Sequence, residues 1–598
     1  MNWKTLSPIT LILLTAAVGQ LRAQPEAGHW DMLAAKPAVV QQWQDMRFGM
    51  FLCWGPVSLT GKEIGWSRQA PEYGKARGFR CAAYPQSDAT PIDVYDRLYE
   101  RWRPDQFDAR QWVSIAKEAG CRYMIFLVKH HDGFCLYDTR LTDYKSTGPA
   151  SAWKVDVMRA VADACHEADL KLILYYSQPD WHHPDYLGEH HERYVQYLHG
   201  QIRELLTGYG RIDGLWFDNL RPVGPETAAL WNAERLFQRA RSIQPHLIIN
   251  NRCGLPGDYD TPEQQIGHFQ ADRPWESCCT LGTQWSWKPD DTIKSLEACI
   301  RMLVACAIGN GNLALNTNPM PDGRIEPRQA DRFREIGRWL RRYGESIYGT
   351  RGGPFVAPGG GRQLHALTAG TLPGGSWWGG STHKSDTVYL HVLRWPSDRI
   401  RLPDIGAKLT NHSVLTGGEA NVVQTDAGIE VTVPEPQRDA MDTIVKLQFD
   451  RPLAGIAPAG VPSPHRLPPG CQVSASGFWP DPKLHAALAF DGDYNTRWGG
   501  APNTTTGWLA VDFGKPTTVD RAVIDEGDWD RVRRFELQYR VLDEWKTIVA
   551  GTTLGAEKCI EFDPIRARHF RLNILEATNV PTIWEFQLCC PTNGGEGE

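Results

Sequence analysis

No run of lysine and arginine occurs anywhere in the 598 residues, and the formal net charge is −6. Nucleic acid and anionic membrane both need concentrated positive charge, so neither is an expected partner. The one apolar run near the start is too short to span a bilayer, and no later segment has enough uninterrupted apolar residues. Metal-type cysteine spacing is missing too. The pairs Cys278–Cys279 and Cys589–Cys590 are adjacent, whereas zinc ligands are separated by a few residues. What is present, 42% hydrophobic and 22% charged residues, describes an ordinary globular chain, too long for one compact unit. Among its residues are 24 tryptophans and 19 tyrosines, whose flat faces suit either a core or the C–H faces of sugar rings.

The early apolar run covers residues 9–18, follows Lys4 and precedes Leu21-Arg22-Ala23. This reads as an export signal over residues 1–23 with its cleavage site, and no cysteine follows to carry a lipid anchor. A secreted or periplasmic location is therefore expected. There the 14 cysteines are free to pair, although Cys121, Cys165, Cys299 and Cys306 lie in apolar patterns that suit buried thiols.

The run Gly214-Leu215-Trp216-Phe217-Asp218 is a short apolar strand ending in a carboxylate. Asp218 either caps the next turn or stands at the strand end where barrel enzymes place their chemistry. The surrounding chain favours the second reading. A first strand, residues 48–55, breaks at Gly55. Strands at 123–128, 172–176 and 247–249 alternate with helical patterns at 107–120, 156–168, 194–207 and 231–243. Such alternation suits a parallel (β/α) barrel better than an open sheet. The strand ends then carry His130, His131, Tyr176, Trp216 with Asp218, and Arg252. The two histidines lack a third ligand at metal-like spacing and suit sugar hydroxyls better than an ion. No cofactor is expected in this part of the chain.

A further helix (331–343) closes the barrel, giving a domain over residues 24–346. Short alternating segments such as Thr387-Val388-Tyr389-Leu390-His391-Val392-Leu393 then suit an antiparallel β-sandwich over residues 347–451. A Pro- and Gly-rich linker, residues 452–470, leads to a last domain over residues 471–592.

Several motifs occur in the order of a known family: Lys129-His130-His131-Asp132-Gly133-Phe134, Trp216-Phe217-Asp218, Ile248-Ile249-Asn250-Asn251-Arg252, Thr261-Pro262-Glu263-Gln264 and Trp275-Glu276. Gly311-Asn312-Leu313-Ala314-Leu315-Asn316 and Gly344-Glu345-Ser346-Ile347-Tyr348-Gly349-Thr350 continue the series. The chain resembles the alpha-L-fucosidases of glycoside hydrolase family 29. The resemblance implies a barrel followed by a β-sandwich, and retaining hydrolysis of terminal alpha-L-fucose from glycans by two carboxyl groups. Asp218 takes the place of the nucleophile. The acid/base is expected at Glu276, ahead of Asp272 and of Glu263, which is read as structural within its turn. His130, His131, Tyr176, Trp216 and Arg252 would contact the sugar, with Cys53 and Trp54 of the first strand. Glu63 and Trp66 resemble residues placed over the sugar, although Ile64 and Gly65 separate them here and an ordinary loop is an equal reading.

Cys53 departs from the family, which usually has histidine before this Trp-Gly. A thiol is the weaker hydrogen-bond partner. Two alternatives follow: hydrolysis of an alpha-L-glucoside or alpha-L-galactoside, or an inactive carbohydrate-binding protein. Near the C-terminus, Ser474-Ala475-Ser476, Ala489-Phe490-Asp491-Gly492-Asp493, Thr496-Arg497-Trp498 and Trp508-Leu509-Ala510-Val511-Asp512-Phe513-Gly514 resemble the discoidin, or factor V/VIII type C, fold. That implies a β jelly roll that either holds a terminal sugar or is purely architectural, with a structural calcium ion as one option. Asp491 and Asp493 are the carboxylates on offer, or equally turn residues.

Overall fold

The computed structural model describes residues 33–266, 269–356, 364–365, 378–395, 397–460, 467, 470–492, 496–555 and 558–589. The expected export signal lies outside them. Seven parallel strands form a curled sheet: β1 (Phe48–Leu52), β2 (Tyr123–Lys129), β3 (Lys171–Ser177), β4 (Gly214–Asp218), β5 (Ile248–Ile249), β6 (Glu276–Thr280) and β7 (Asn312–Thr317). Their order is β5-β4-β3-β2-β1-β7-β6. Every residue of β2 is buried, as parallel strands covered on both faces require.

Helices cover the outside, and their starts are written in the sequence. Asp108 caps α1 (Ala109–Glu118) by accepting from the N–H groups of Arg110 and Gln111. Asp156 caps α2 (Val157–Glu167) through Arg159 N–H, each cap satisfying donors that the first turn leaves free. A later helix, Pro327–Tyr343, buries Phe333, Ile336, Trp339 and Leu340 on one face, the spacing expected from sequence.

The sheet's two edges, β5 and β6, are joined by an irregular segment, residues 258–263. It makes only isolated parallel bridges, Asn250 to Tyr259, Asp260 to Trp275 and Glu263 to Cys278. Pro262 has no N–H to give a regular ladder, although its carbonyl accepts from Cys278 N–H. At Glu263 the chain is nevertheless held to Cys278, whose carbonyl accepts from Gln264 N–H at 2.9 Å.

Beyond the curled sheet, strands pair antiparallel. A five-stranded sheet has the order β12-β15-β10-β9-β8, built from β8 (Arg351–Gly352), β9 (Gly379–Lys384), β10 (Thr387–Val392), β12 (Leu409–Val414) and β15 (Thr443–Phe449). A three-stranded sheet joins β11 (Arg399–Leu402), β14 (Gly428–Thr432) and β13 (Asn421–Thr425) in that order. The expected linker differs in its first half. Leu453 is buried in the core, and Ala459–Gly460 pairs with Phe355–Val356. The C-terminal sheet contains β16 (Gln472–Ala475), β17 (Gly507–Asp525), β18 (Val532–Val541), β19 (Glu544–Gly551), β20 (Lys558–Ala577) and β21 (Glu585–Cys589), again antiparallel. It has its own core around Trp498, Leu509, Phe570 and Leu572, separate from the core shared by the preceding sheets. Among the described residues no helix is long and apolar enough to cross a membrane.

Candidate active site

At the carboxyl ends of the parallel strands lies a cavity of about 430 Å³, a size that suits a small ligand. Phe51 and Cys53 come from β1 and the residues after it, His130 and His131 from the end of β2, Tyr175 from β3, and Trp216 and Asp218 from β4. Arg252, Glu263, Trp66 and Trp285 are among the lining residues that come from the connecting segments.

Asp218 is held from two sides. Its Oδ2 accepts from the Tyr175 hydroxyl at 2.6 Å, and its Oδ1 from Arg252 Nη1 at 2.9 Å. The same Arg252 nitrogen lies 3.0 Å from Glu263 Oε2. One guanidinium thus bridges two carboxylates, and the two bonded oxygens can be no more than about 6 Å apart. Burial alone would lower the pKa of Arg252, but Glu263 and Asp218 outweigh it and raise it. Arg252 also lies over the Trp216 ring, 4.6 Å from its centroid, and Tyr175 stacks on that ring at 5.5 Å.

The two histidines are neutral. Burial pushes His131 down to about 3, helped by Lys129 and Arg252, and pushes His130 well below the usual imidazole range, helped by His131. Ser177 Oγ donates to the Pro179 carbonyl at 2.7 Å, so at 2.5 Å it accepts from His131 Nδ1. That fixes the tautomer and leaves His131 Nε2 as an acceptor, 3.5 Å from Asp218 Oδ2. A hydroxyl placed above the pair could donate to either acceptor.

The alpha-L-fucosidase family model matches residues 14–345, more than half of the chain. The chain belongs to the alpha-L-fucosidase family. It is a fucose-releasing glycoside hydrolase. The alpha-L-fucosidase of Branchiostoma floridae is 25% identical over 416 residues, covering 65% of this chain and 86% of its own length. The plasma alpha-L-fucosidase of Homo sapiens is 26% identical over 395 residues, 62% of this chain and 79% of its own. Among solved structures, alpha-L-fucosidase isoenzyme 1 from Paenibacillus thiaminolyticus is 30% identical with a TM-score of 0.57. The match covers 69% of this chain and 99% of that one. The Thermotoga maritima alpha-fucosidase is 25% identical with a TM-score of 0.55, covering 71% of this chain and all of that one. The F5/8 type C domain model matches residues 472–586.

Within this fucosidase frame the structure brings together Asp218, His130, His131, Trp216, Arg252, Trp66 and Cys53 as expected from sequence. Four expectations need correction. Tyr176 points away from the cavity: it is fully buried and its hydroxyl donates to Gln201 Oε1 at 2.7 Å. Tyr175 faces the cavity in its place, because successive residues of a strand alternate sides. Trp54 is also outside, packed edge-on against Trp102 and Trp112 with its indole N–H on the Met320 carbonyl. Glu63 does not line the cavity. Its carboxylate accepts from Trp285 N–H at 3.0 Å and so fixes the loop that carries the Trp285 wall.

Glu276 is the largest departure. It opens β6, at the end of the strand opposite the cavity, and its exposure is 0%. Its carboxylate accepts from Trp216 Nε1 at 3.1 Å and from the Tyr123 hydroxyl at 2.5 Å. Gly49 makes room for that tyrosine; a Cβ there would come 2.2 Å from the Tyr123 ring. Burial raises Glu276 to about 7 even with both donors in place. It is a support beneath Trp216. Sequence reading missed Tyr175 and passed over Glu263, whose side chain is 44% exposed at the cavity mouth while that of Asp218 is 13% exposed.

The ligating atoms of His130, His131 and Asp218 lie within 4.8 Å of one another, so Asp218 supplies the third group that the histidine pair lacked in sequence. An added cation there would face the Arg252 guanidinium on the same carboxylate; neutral hydroxyls meet no such repulsion. Burial keeps the Cys53 thiol well above its ordinary pKa, with Glu63 and Asp218 adding to the effect, so Cys53 enters the site as a neutral group. In the C-terminal domain Asp493 lies outside the described residues. Asp491 accepts from the Thr496 hydroxyl, and burial together with Asp491 holds Glu585 well above the usual carboxylate range. A proton or a cation shared between these carboxyls would relieve that repulsion.

Proposed function

We propose that this protein is an exo-acting, retaining alpha-L-fucosidase with Asp218 as nucleophile and Glu263 as acid/base. The observation that carries the reading is the Arg252 bridge, which holds one oxygen of each carboxyl group within about 6 Å of the other, below the separation an inverting pair needs. Retaining enzymes hold their carboxyl groups about 5–5.5 Å apart, whereas inverting ones leave about 6.5–9.5 Å for a water.

Asp218, ionised and paired to Arg252 and Tyr175, attacks the anomeric carbon from the cavity floor. Glu263 at the mouth gives its proton to the departing glycosidic oxygen, and a glycosyl ester forms on Asp218. Glu263, now a carboxylate, takes a proton from water as the water oxygen attacks the same carbon. Fucose leaves with its configuration retained and both carboxyls return to their starting states. His130 and His131 hold ring hydroxyls as neutral imidazoles, and Phe51, Trp66, Trp216 and Trp285 offer apolar faces to the ring and its methyl group.

We read the architecture as a (β/α) barrel, an antiparallel sandwich and a jelly roll, and residues 1–23 as an export signal that takes the enzyme to the periplasm or outside the cell. The test of mechanism is the anomer first released from nitrophenyl alpha-L-fucoside, followed by proton NMR. Alpha-fucose appearing first supports the pair. Beta-fucose first would require a wider carboxyl spacing and would remove Glu263 from its role.

A further inference from the structure

The cavity continues past the sugar site. A second hollow of about 320 Å³ shares Arg80, Asn219, Leu220 and Arg221 with the first, and Trp181, Tyr186 and Pro222 extend it. The loop 219–222 directly follows Asp218, so this hollow opens beside the nucleophile. On the reading that fucose occupies the first cavity, its leaving group is the group that enters the second.

The chemistry of the second hollow is one-sided. None of its lining residues is acidic, and two are arginines. Among the described residues no carboxylate pairs with Arg80 or Arg221, and both are exposed. Both guanidiniums act on the Tyr186 hydroxyl, pulling its pKa down against the larger effect of burial, so they share one locality. Asn219 Nδ2 donates to the Arg221 carbonyl at 3.0 Å and ties down the loop that carries Arg221. Trp181 and Tyr186 supply the aromatic side of the hollow. Two free guanidiniums with an aromatic wall suit a sugar bearing an oxyanion, because guanidinium forks match carboxylate and sulfate oxygens.

We propose that Arg80 and Arg221 form a leaving-group subsite for an anionic sugar, so that the enzyme prefers fucose attached to a residue carrying a carboxylate or a sulfate ester. This preference rests on the fucosidase reading but is separable from it.

The experiment measures calorimetric binding of three defucosylated disaccharides to the full-length enzyme: neutral, sulfated and uronic. The ratio of kcat/KM on their fucosylated forms is measured alongside. Wild type should favour the anionic members about tenfold, the scale of one or two charge-assisted contacts at a partly wet site. Arg80→Gln/Arg221→Gln should bring both ratios near one, and raising salt to about 0.5 M should erode the wild-type ratio. The sulfate and uronate arms tell which oxyanion is recognised; preference for either one supports the subsite. A wild-type ratio near one, or a ratio unchanged in the double variant, overturns it. If nitrophenyl fucoside is turned over while the ratios stay flat, only the subsite fails. If neither it nor the fucosylated disaccharides are turned over, the fucosidase reading fails, and the binding ratios still decide the subsite.

Discussion

Replacing Glu263 and Glu276 separately by glutamine discriminates the mouth carboxyl from the buried one. Glu263→Gln keeps the shape and an acceptor for Arg252 but cannot supply a proton. General acid–base assistance is worth about 10²- to 10⁴-fold, and the loss should fall on substrates whose leaving group needs the proton. A fucosyl disaccharide should lose at least about a hundredfold in kcat/KM, while 2,4-dinitrophenyl alpha-L-fucoside, with its good leaving group, should lose far less in the first step. Added azide should restore turnover of the activated substrate, because an anion needs no base to attack the glycosyl ester. Glu276→Gln should behave differently. Its amide oxygen can still accept from Trp216 Nε1, and its N–H can donate to the Tyr123 hydroxyl, so both buried contacts survive in neutral form. Changes below about tenfold, equal on both substrates, are expected, since a change in support shifts binding without a dependence on leaving group. Michaelis–Menten constants on the two substrates for wild type and both variants decide the matter. A strong leaving-group dependence in Glu276→Gln, with none in Glu263→Gln, would refute the assignment built on the Arg252 bridge.

Tyr175→Phe removes a hydrogen bond to the nucleophile and should lower kcat/KM by about tenfold to a hundredfold, the value of a bond to a charged group. Tyr176→Phe should leave kcat/KM within about threefold while lowering Tm, since Gln201 loses its buried donor. Stability should also report Glu276. Its folded pKa of about 7 lies above the 4.5 of an unperturbed glutamate, so the folded state binds the extra proton. The Glu276 contribution to stability is then fully present below pH 4.5 and is lost as pH rises to 7, by about 3 kcal/mol in all. Glu276→Gln removes that contribution, so the difference in Tm between variant and wild type should grow in the variant's favour from pH 5 to pH 8; a constant difference would count against a buried, proton-binding Glu276. Alpha-L-galactoside adds one hydroxyl to the fucoside in a cavity whose lining includes Phe51, Trp66, Trp216 and Trp285, and should be turned over about tenfold to a hundredfold more slowly. Equal rates on the two nitrophenyl glycosides would mean that Cys53 marks a wider tolerance.

The nucleophile was legible in sequence because its signal is local: an apolar run ending in aspartate, in a chain of alternating strands and helices. Tyr175 was not, since choosing between adjacent tyrosines requires the register of β3 against β4. In the structure Tyr175 pairs with Trp216 and Ser177 with Asp218. Paired residues of neighbouring strands face the same side, so the inward set is Tyr175, Ser177, Trp216 and Asp218. Had Trp216 and Asp218 been taken as inward on this two-residue period, Tyr175 would have followed from the alignment of strand ends. The acid/base went astray for a related reason. Glu276-Ser277-Cys278-Cys279-Thr280 has little of the β-branched or aromatic character that marks a strand, and it read as loop. Once it is seen as β6, Glu276 stands at the amino end of a parallel strand, away from the face where catalytic groups gather. Glu263 was hidden by the opposite error. Thr261-Pro262-Glu263-Gln264 has the composition of a turn, and Pro262 does deny it a regular ladder. Yet the isolated bridge to Cys278, a residue that lines the cavity, sets Glu263 on the same side as Cys278 and within 3.0 Å of Arg252, so a single pairing outside any regular strand is what brings the residue to the site.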